Sequence, residues 1–469
     1  MTSSKKMSEQ QRTIINSISV NGVGLHTGKN CRMTFVPAEE DFGIKFQRVD
    51  LENKPIIKAD ASLVFSTNRG TSLRKNGISI HTTEHVLAAI SGAQIDNLLI
   101  EIDSAEIPIL DGSSIEFTDA LKKAGVQIQN KAKNYFQVKR KISYKDPETG
   151  SEIIISPAEK LKVEVEIDYD SSTLKKQNCV LEDINDFEKE FASSRTFCFL
   201  HELEDLLNND LIKGGDLNNA IVIVDREINE KDLQKLATTF NKENIGVQEK
   251  GILNNLELRH QNEPARHKLL DVIGDLTLVG KNIKGHIIAK KPGHTTNIAF
   301  AKKIKEIMKE EMRNIAPEID FNSTPLYDRK KIKTILPHRD PFLFVDQVRE
   351  IGEDYIIGVK FVKADEDYFR GHFPAEPVMP GVLQIETMAQ VGGILILSTV
   401  ENPEDYLTFF MKIENAKFKR KVVPKDKIVF QLHLISPIRR GLCHMHGKGF
   451  VNGKIVVEAD LLAQIAPKK

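Results

Sequence analysis

Apolar positions in the stretch 265–276 recur on almost every side of a helix, with Leu269, Leu270, Val272, Ile273 and Leu276 filling them. The pattern predicts a helix buried nearly all round. One stripe breaks it. His267 and Asp271 stand four apart and share a face, and Asp275 follows one turn later. An imidazole and two carboxylates on a buried stripe are costly unless something compensates them. A metal ion would do so. A stripe turned to solvent, with Arg266 and Lys268 as ion-pair partners, needs none, and the stretch taken alone fits that plainer reading slightly better.

The rest of the pattern divides the chain. Alternation over 13–20 predicts a strand that runs into Gly22, Gly24 and Gly28. These glycines mark a tight turn where backbone could approach a ligand. Position 27 is Thr and no long helix follows, so the spacing is not a dinucleotide fingerprint and a hairpin turn is the preferred reading. A strand end at 77–80 leads to a helix over 84–90, capped by Thr83 and stopped near Gly92. Residues 96–103 alternate like a strand, 108–114 form a loop and 114–124 a helix. This β-α-β-α unit ends near 135. A second unit has strands at 135–142 and 161–169 and a helix opened by 193–197 and continued at 202–207. A turn at 213–216, a buried strand at 221–224, the helix at 265–279 and a strand at 286–290 follow. Two α+β units of similar make-up suggest a two-layer pair with a cleft between.

A charged amphipathic helix is expected at 302–313. Pro317 and the run Asn322-Ser323-Thr324-Pro325 then mark a domain boundary. Beyond it come a helix at 329–335 capped by Asp328 and strands at 343–349 and 355–362. A long apolar helix at 382–400 and strands at 406–415, 427–436, 442–451 and 454–465 complete the pattern. One long helix among many strands reads as a sheet wrapped around a helix. Gln384, Glu386 and Gln390 interrupt the helix, so it reads as core and not as a membrane span.

Composition narrows the function classes. The 469 residues allow about three domains. The formal net charge is zero, so no global field draws the chain to nucleic acid or to a membrane. No apolar run is long enough to span a bilayer, and the polar start lacks the core of a signal peptide. Cys31, Cys179, Cys198 and Cys443 are scattered and form neither a disulfide framework nor a CxxC site. A reducing, cytoplasmic setting is therefore expected.

Two groups of residues carry candidate chemistry. His81-Thr82-Thr83-Glu84-His85 formally matches the HxxEH peptidase pattern. That pattern needs both histidines on one helix, and the strand at 78–80 with the Thr83 cap leaves His81 outside it. Glu84 and His85 remain on the first turn, where a carboxylate beside a ligand can serve as a general base. His85 alone reads more plainly as a core histidine. A catalytic zinc site uses three protein ligands, which His85, His267 and Asp271 could supply. His294 ends a strand at a Pro-Gly turn, and Asp275 could orient it and keep it protonated. A loop histidine is the plainer reading. In the last third, Gly371–Gly381 packs three prolines into a loop before the long helix, with Glu386 fourteen residues after His372. A His base, a protonated Glu acid and helix N–H groups near Gly381 suit loss of a proton beside a thioester with departure of a β-hydroxyl. A helix-capping His and a salt-bridged Glu explain the same residues equally well.

Gly24-Leu25-His26-Thr27-Gly28, Thr83-Glu84-His85, and the stretches 109–112, 194–197, 214–220, 266–275 and 293–294 resemble the zinc-dependent UDP-3-O-acyl-N-acetylglucosamine deacetylases of lipid A synthesis, over about residues 10–305. The resemblance implies zinc ligands His85, His267 and Asp271, base Glu84, and His294 paired with Asp275 as acid or electrostatic partner. It implies that Thr196 donates to the oxyanion, that Lys268 contacts substrate and that Phe197 packs near the sugar. It also implies two β-α-α-β sandwich domains, 10–135 and 136–305, the second with an insert forming an acyl tunnel that Cys198 could touch. Leu336-Pro337-His338-Arg339-Asp340-Pro341-Phe342, with 371–374, 378–382 and 386–390, resembles the 3-hydroxyacyl-acyl-carrier-protein dehydratases of fatty acid synthesis. That implies a hot-dog fold over 327–467 after a linker at 306–326. It implies His372 and Glu386 facing each other across a homodimer and dimers assembling into hexamers. His338 lies within the signature and reads as structural. Lys417, Lys419, Arg420 and Lys421 form a basic run that suits a solvated edge strand or a docking patch for acidic acyl carrier protein equally. The sequence thus reads as an α+β fusion of deacetylase and dehydratase. The alternative is an HxxEH zinc peptidase fused to a hot-dog binding module.

Overall fold

The computed structural model describes residues 10–203, 213, 217, 219–240, 245–248, 251–253 and 256–468. The chain divides into two compact units, Met1–Glu306 and Ile307–Lys469. Residues 204–207 of the helix expected at 202–207, residues 214–216 of the turn at 213–216 and most of the motif 214–220 lie outside the described residues.

The first unit holds two five-stranded sheets of the same topology. One runs Ile18–Val23, Asn30–Pro37, Leu98–Ile102, Ile44–Arg48, Ile56–Lys58. The other runs Ile142–Lys145, Glu152–Ser156, His286–Lys290, Lys162–Ile167, Gln177–Leu181. In each, the last strand in sequence enters the centre, antiparallel to one neighbour and parallel to the other. The expected pair of similar α+β units is thus visible as a repeated strand order. Four helices matter for function: α1 (Glu84–Gly92), α2 (Ile115–Ala124), α3 (Glu263–Thr277) and α4 (His294–Arg313). α1 packs directly on α3. Gly274 makes this possible, since a Cβ there would lie 2.1 Å from the Glu84 carbonyl oxygen.

The stripe on α3 does not face solvent. His267, Asp271 and Asp275 are 2 %, 1 % and 0 % exposed, which removes the plainer reading of that helix. Other expectations change. The strand expected at 13–20 is two strands, Gln10–Ile14 paired with Val126–Ala132 and Ile18–Val23 paired with Asn30–Pro37. The second pair confirms the glycine-rich turn as a hairpin. Residues 193–197 do not open a helix: Phe197–Phe199 is a strand parallel to Ile221–Ile223. The Ser194 and Thr196 carbonyls accept from His267 Nδ1 and from the Ile221 N–H, so neither receives the i+4 bond a helix needs. His294 does not end the strand, which stops at Lys290. It opens the 20-residue α4, whose polar-looking first turns bury Thr296 and Asn297. The hairpin Ile142–Lys145/Glu152–Ser156 and the helix Glu230–Thr239 carry no pattern strong enough to have been read.

In the second unit a six-stranded sheet runs Gln347–Ile351, Tyr355–Phe361, Lys427–Leu434, Leu442–Val451, Lys454–Pro467, Tyr406–Phe418. Every neighbouring pair is antiparallel. Against it packs α5 (Gly381–Leu397), with Met388, Val391 and Ile394 fully buried among Ile356, Phe430, Leu432 and Met445. Gly358 and Gly447 let it approach closely, because a Cβ on either would collide with Val391 or Met388. The strand expected at 343–349 lies instead at Gln347–Ile351. Ile319 and Phe321 pack on Ile357, Val359 and Val429, and Arg349 bonds the Asp320 and Ser323 carbonyls. Residues 319–323 are therefore part of this unit's packing. Among the described residues no helix is long and apolar enough to cross a membrane.

Candidate active sites

In the first unit, α1 supplies His85 and α3 supplies His267 and Asp271. Asp271 Oδ1 lies 3.4 Å from His267 Nε2 and 3.8 Å from His85 Nε2. One donor atom of each residue falls within 4.8 Å of the other two. Asp271 Oδ1 is buried and has no hydrogen-bond partner, while Oδ2 accepts from Lys268 Nζ at 2.9 Å. His267 Nδ1 donates to the Ser194 carbonyl at 3.1 Å, which turns the Nε2 lone pair toward the gap. Burial holds both imidazoles neutral, His85 down to about 3. Burial also works against ionisation of Asp271, but His267, Lys268 and His294 outweigh it and hold the carboxyl far below its usual range. Two neutral imidazole nitrogens and an unpartnered carboxylate oxygen fit a divalent cation of the zinc class.

Beside this triad, Glu84 Oε2 accepts from the Thr71 N–H at 2.9 Å, and Oε1 lies 3.9 Å from His294 Nε2. Burial raises the Glu84 carboxyl to about 7, with Asp275 and Asp271 adding to the rise and His294 opposing it. His294 Nδ1 meets Asp275 Oδ2 at 2.8 Å. Burial would lower His294, but Asp275, Asp271 and Glu84 raise it to about 9. Asp275 is fixed in turn by Thr71 Oγ1 at 2.5 Å and Asn297 Nδ2 at 2.8 Å. No sequence pattern marks Thr71 or Asn297, because each acts through a carboxylate 22 or more positions away. A cavity of about 720 Å³ opens onto the triad and is lined by Thr196, Phe197, Cys198 and Lys268 among others. Lys268 Nζ stands 5.5 Å from the Phe197 ring centre. Desolvation pushes the Cys198 thiol up to about 12, leaving it inert.

His81 is elsewhere. It precedes α1, and its ring nitrogens meet Ser72 and Ser79 hydroxyls at 3.0 Å each. The HxxEH alternative fails on that placement. Thr83 holds the N-cap position, but its hydroxyl donates to the Thr71 carbonyl instead of capping.

In the second unit, His372 Nδ1 donates to the Val378 carbonyl at 2.8 Å, leaving Nε2 as the basic nitrogen. Glu386 stands on the second turn of α5, which Gly381 opens. Its Oε1 accepts from Gln390 Nε2 at 2.9 Å and lies 3.5 Å from His338 Nε2. Gln390 is itself locked, donating to the Phe342 carbonyl and accepting from the Phe344 N–H, both at 2.8 Å. A pocket of about 260 Å³ runs from Glu386 past Phe409 and Met445. His372 does not line it, and among the described residues no polar contact joins His372 to Glu386. Of the basic run, Lys417 and Lys419 pair with Glu458 at 3.2 and 3.0 Å, and Lys421 with Glu376 at 2.6 Å.

The family model for UDP-3-O-acyl N-acetylglycosamine deacetylase (LpxC) matches residues 11–240 and 234–306, and the FabA-like domain model matches 336–460. The chain is 48 % identical to the bifunctional enzyme LpxC/FabZ of Bacteroides thetaiotaomicron, over 98 % of this chain and 100 % of that one. The enzyme of the same name from Porphyromonas gingivalis is 47 % identical, again over 98 % of this chain and 100 % of its own. A shorter relative, the UDP-3-O-acyl-N-acetylglucosamine deacetylase of Thermodesulfovibrio yellowstonii, is 39 % identical over 63 % of this chain and 92 % of its own. Both halves are matched, and the long relatives align end to end: the chain belongs to the bifunctional LpxC/FabZ family of enzymes, a deacetylase joined to a dehydratase.

Proposed function

We propose that the first unit hydrolyses the acetamide of UDP-3-O-(3-hydroxyacyl)-N-acetylglucosamine to the free amine and acetate, and that zinc is its metal. The observation that carries this reading is the convergence of His85, His267 and Asp271 with Glu84 and His294 at one cavity. A zinc ion held by the triad supplies Lewis-acid polarisation of the carbonyl and activation of water near neutral pH. Glu84 takes the proton of the attacking water. The Thr196 hydroxyl donates to the carbonyl oxygen as it gains charge. His294, held protonated by Asp275, gives a proton to the departing amine. Lys268 and Phe197 orient the substrate. Glu84→Gln is expected to keep its zinc and lose most turnover; full acetate release by that variant contradicts the assignment of the base.

The second unit, read as a hot-dog domain, dehydrates (3R)-3-hydroxyacyl-acyl carrier protein to the trans-2-enoyl product. His372 Nε2 removes the proton next to the thioester, and Glu386 protonates the leaving β-hydroxyl. The N–H groups at Gly381 polarise the thioester carbonyl. His372 and Glu386 do not meet within one chain, which favours a homodimer in which each copy completes the other's site. The edge strand Tyr406–Phe418 exposes Phe409, Phe410, Met411 and Ile413, as a pairing edge would. Six copies follow if dimers assemble further. The acidic carrier protein docks at the basic run around Arg420. Boundaries at 10–135, 136–305 and 327–467 accompany this reading, with residues 319–323 of the stretch 306–326 packed on the second unit and not free as a linker. Four free cysteines accord with a cytoplasmic setting. Both activities handle 3-hydroxyacyl groups, so one chain fixes their ratio.

A further inference from the structure

A second buried ionic pair lies beside the metal triad, and the chemistry above makes no use of it. Glu263, the first residue of α3, is 0 % exposed, and Arg195 is 4 % exposed. Glu263 Oε1 accepts from Arg195 Nε at 2.9 Å and from the Arg195 backbone N–H at 3.0 Å. Oε2 accepts from Arg195 Nη2 at 3.2 Å and from the Arg259 backbone N–H at 2.6 Å. The Arg259 side chain reaches on to Asp111 and to the Ser193 carbonyl, both at 2.7 Å. Burial pushes the Glu263 carboxyl toward its neutral form, but these donors outweigh it and hold it ionised, below its usual range.

The residues on either side of Arg195 show what the pair holds. Ser194 presents its carbonyl to His267 Nδ1, one turn along α3 from Glu263. Thr196 donates its N–H to the Gly112 carbonyl at 2.8 Å and lines the cavity. The strap 193–196 has no helix or strand of its own and lies between the short helix Phe187–Glu190 and the strand Phe197–Phe199, and the Arg195 side chain ties it to α3. A buried ion pair adds little net stability over a well-packed apolar pair. An apolar pair could not bind two backbone N–H groups and so set the register of the strap.

We infer that Arg195 and Glu263 form a positioning pair for the deacetylase site, fixing the strap so that Ser194 orients the His267 ring and Thr196 enters the cavity. The inference rests on the reading of His85, His267 and Asp271 as metal ligands. Its test is the zinc affinity of the full chain, measured by competition with a chelating dye, for Arg195→Met, Arg195→Lys, Glu263→Gln and His267→Ala. Arg195→Met and Glu263→Gln are expected to weaken zinc binding about ten- to a hundredfold. Arg195→Lys, which keeps the charge and one donor to Glu263, should recover part of the loss, while dehydratase turnover stays at the parent level in all three. If Arg195→Met fails to fold, Arg195→Lys and Glu263→Gln decide. Parent-like zinc affinity in folded Arg195 and Glu263 variants overturns the positioning role when His267→Ala has lost zinc. If His267→Ala also binds zinc like the parent, the ligand assignment itself is what fails.

Discussion

His294 Nδ1 lies 2.8 Å from Asp275 Oδ2, and Asp275 is held on its other bonds by Thr71 and Asn297. Thr71 and Asn297 thus fix one carboxylate, and through it one imidazole. The free edge of that imidazole, Nε2, stands 3.9 Å from Glu84 and 4.0 Å from Asp271. Asp275→Asn keeps the shape and removes the charge that keeps His294 protonated. Acetate release is expected to fall about a hundredfold, with zinc content unchanged by elemental analysis. A variant with normal turnover would remove Asp275 from the mechanism.

Among the described residues, only the first unit contains a triad that could hold a metal ion. A strong chelator should therefore abolish deacetylation and leave dehydration untouched in the same sample. Added zinc should restore the lost activity. Loss of both activities on chelation would mean that the second unit also depends on metal.

Gly274 is where α3 meets α1 without a side chain between them. A Cβ at this position would lie 2.1 Å from the Glu84 carbonyl oxygen, which is backbone and cannot step aside. Gly274→Ala is expected to cost about 1–3 kcal/mol of stability, read from the urea midpoint. It should also weaken zinc binding, because the two helices carry the three residues proposed to hold the metal. Parent-like stability would show that the helices can separate freely.

His433 in the second unit is held neutral, down to about 4, first by burial and then by Arg313, with His446 and Lys448 adding to the effect and Asp354 opposing it. Its Nε2 is buried without a partner. The unfolded chain takes up a proton at this residue near pH 6.5, whereas the folded chain refuses it until about pH 4. Stability of this unit should therefore fall as pH drops from 6.5 toward 4, and this contribution should be flat above that window. His433→Gln is expected to flatten the acid limb of the urea midpoint against pH, scored by loss of dehydratase activity. An unchanged slope would assign the acid sensitivity to other groups.

Several parts of this architecture were legible in the sequence for local reasons. α3 shows its period and its ligand stripe within fifteen residues, and the strand Leu442–Val451 falls on the expected positions. α5 was readable as a core helix because only Gln384, Glu386 and Gln390 interrupt it. The strap at 193–197 is not legible locally because its carbonyls at Ser194 and Thr196 serve His267 and Ile221, which lie far away in the chain. The start of α4 was missed because Thr296 and Asn297 look like surface residues, although burial there is satisfied by Asp275. His338 reads as structural in the sequence, and its 3.5 Å approach to Glu386 is a contact that no local pattern announces. The metal site as a whole was half-visible in each stretch. His85 and His267 are ordinary core histidines until the packing of α1 on α3 puts them 5.0 Å apart, ring centre to ring centre.

The chain carries two active sites that work separately. The most direct measurement is the turnover of both substrates by His85→Ala and by His372→Ala, each as the full-length chain. His85→Ala should lose acetate release and keep dehydration, and His372→Ala should do the reverse. Loss of both activities in either folded variant, or of neither, would mean that the two sites are not separate.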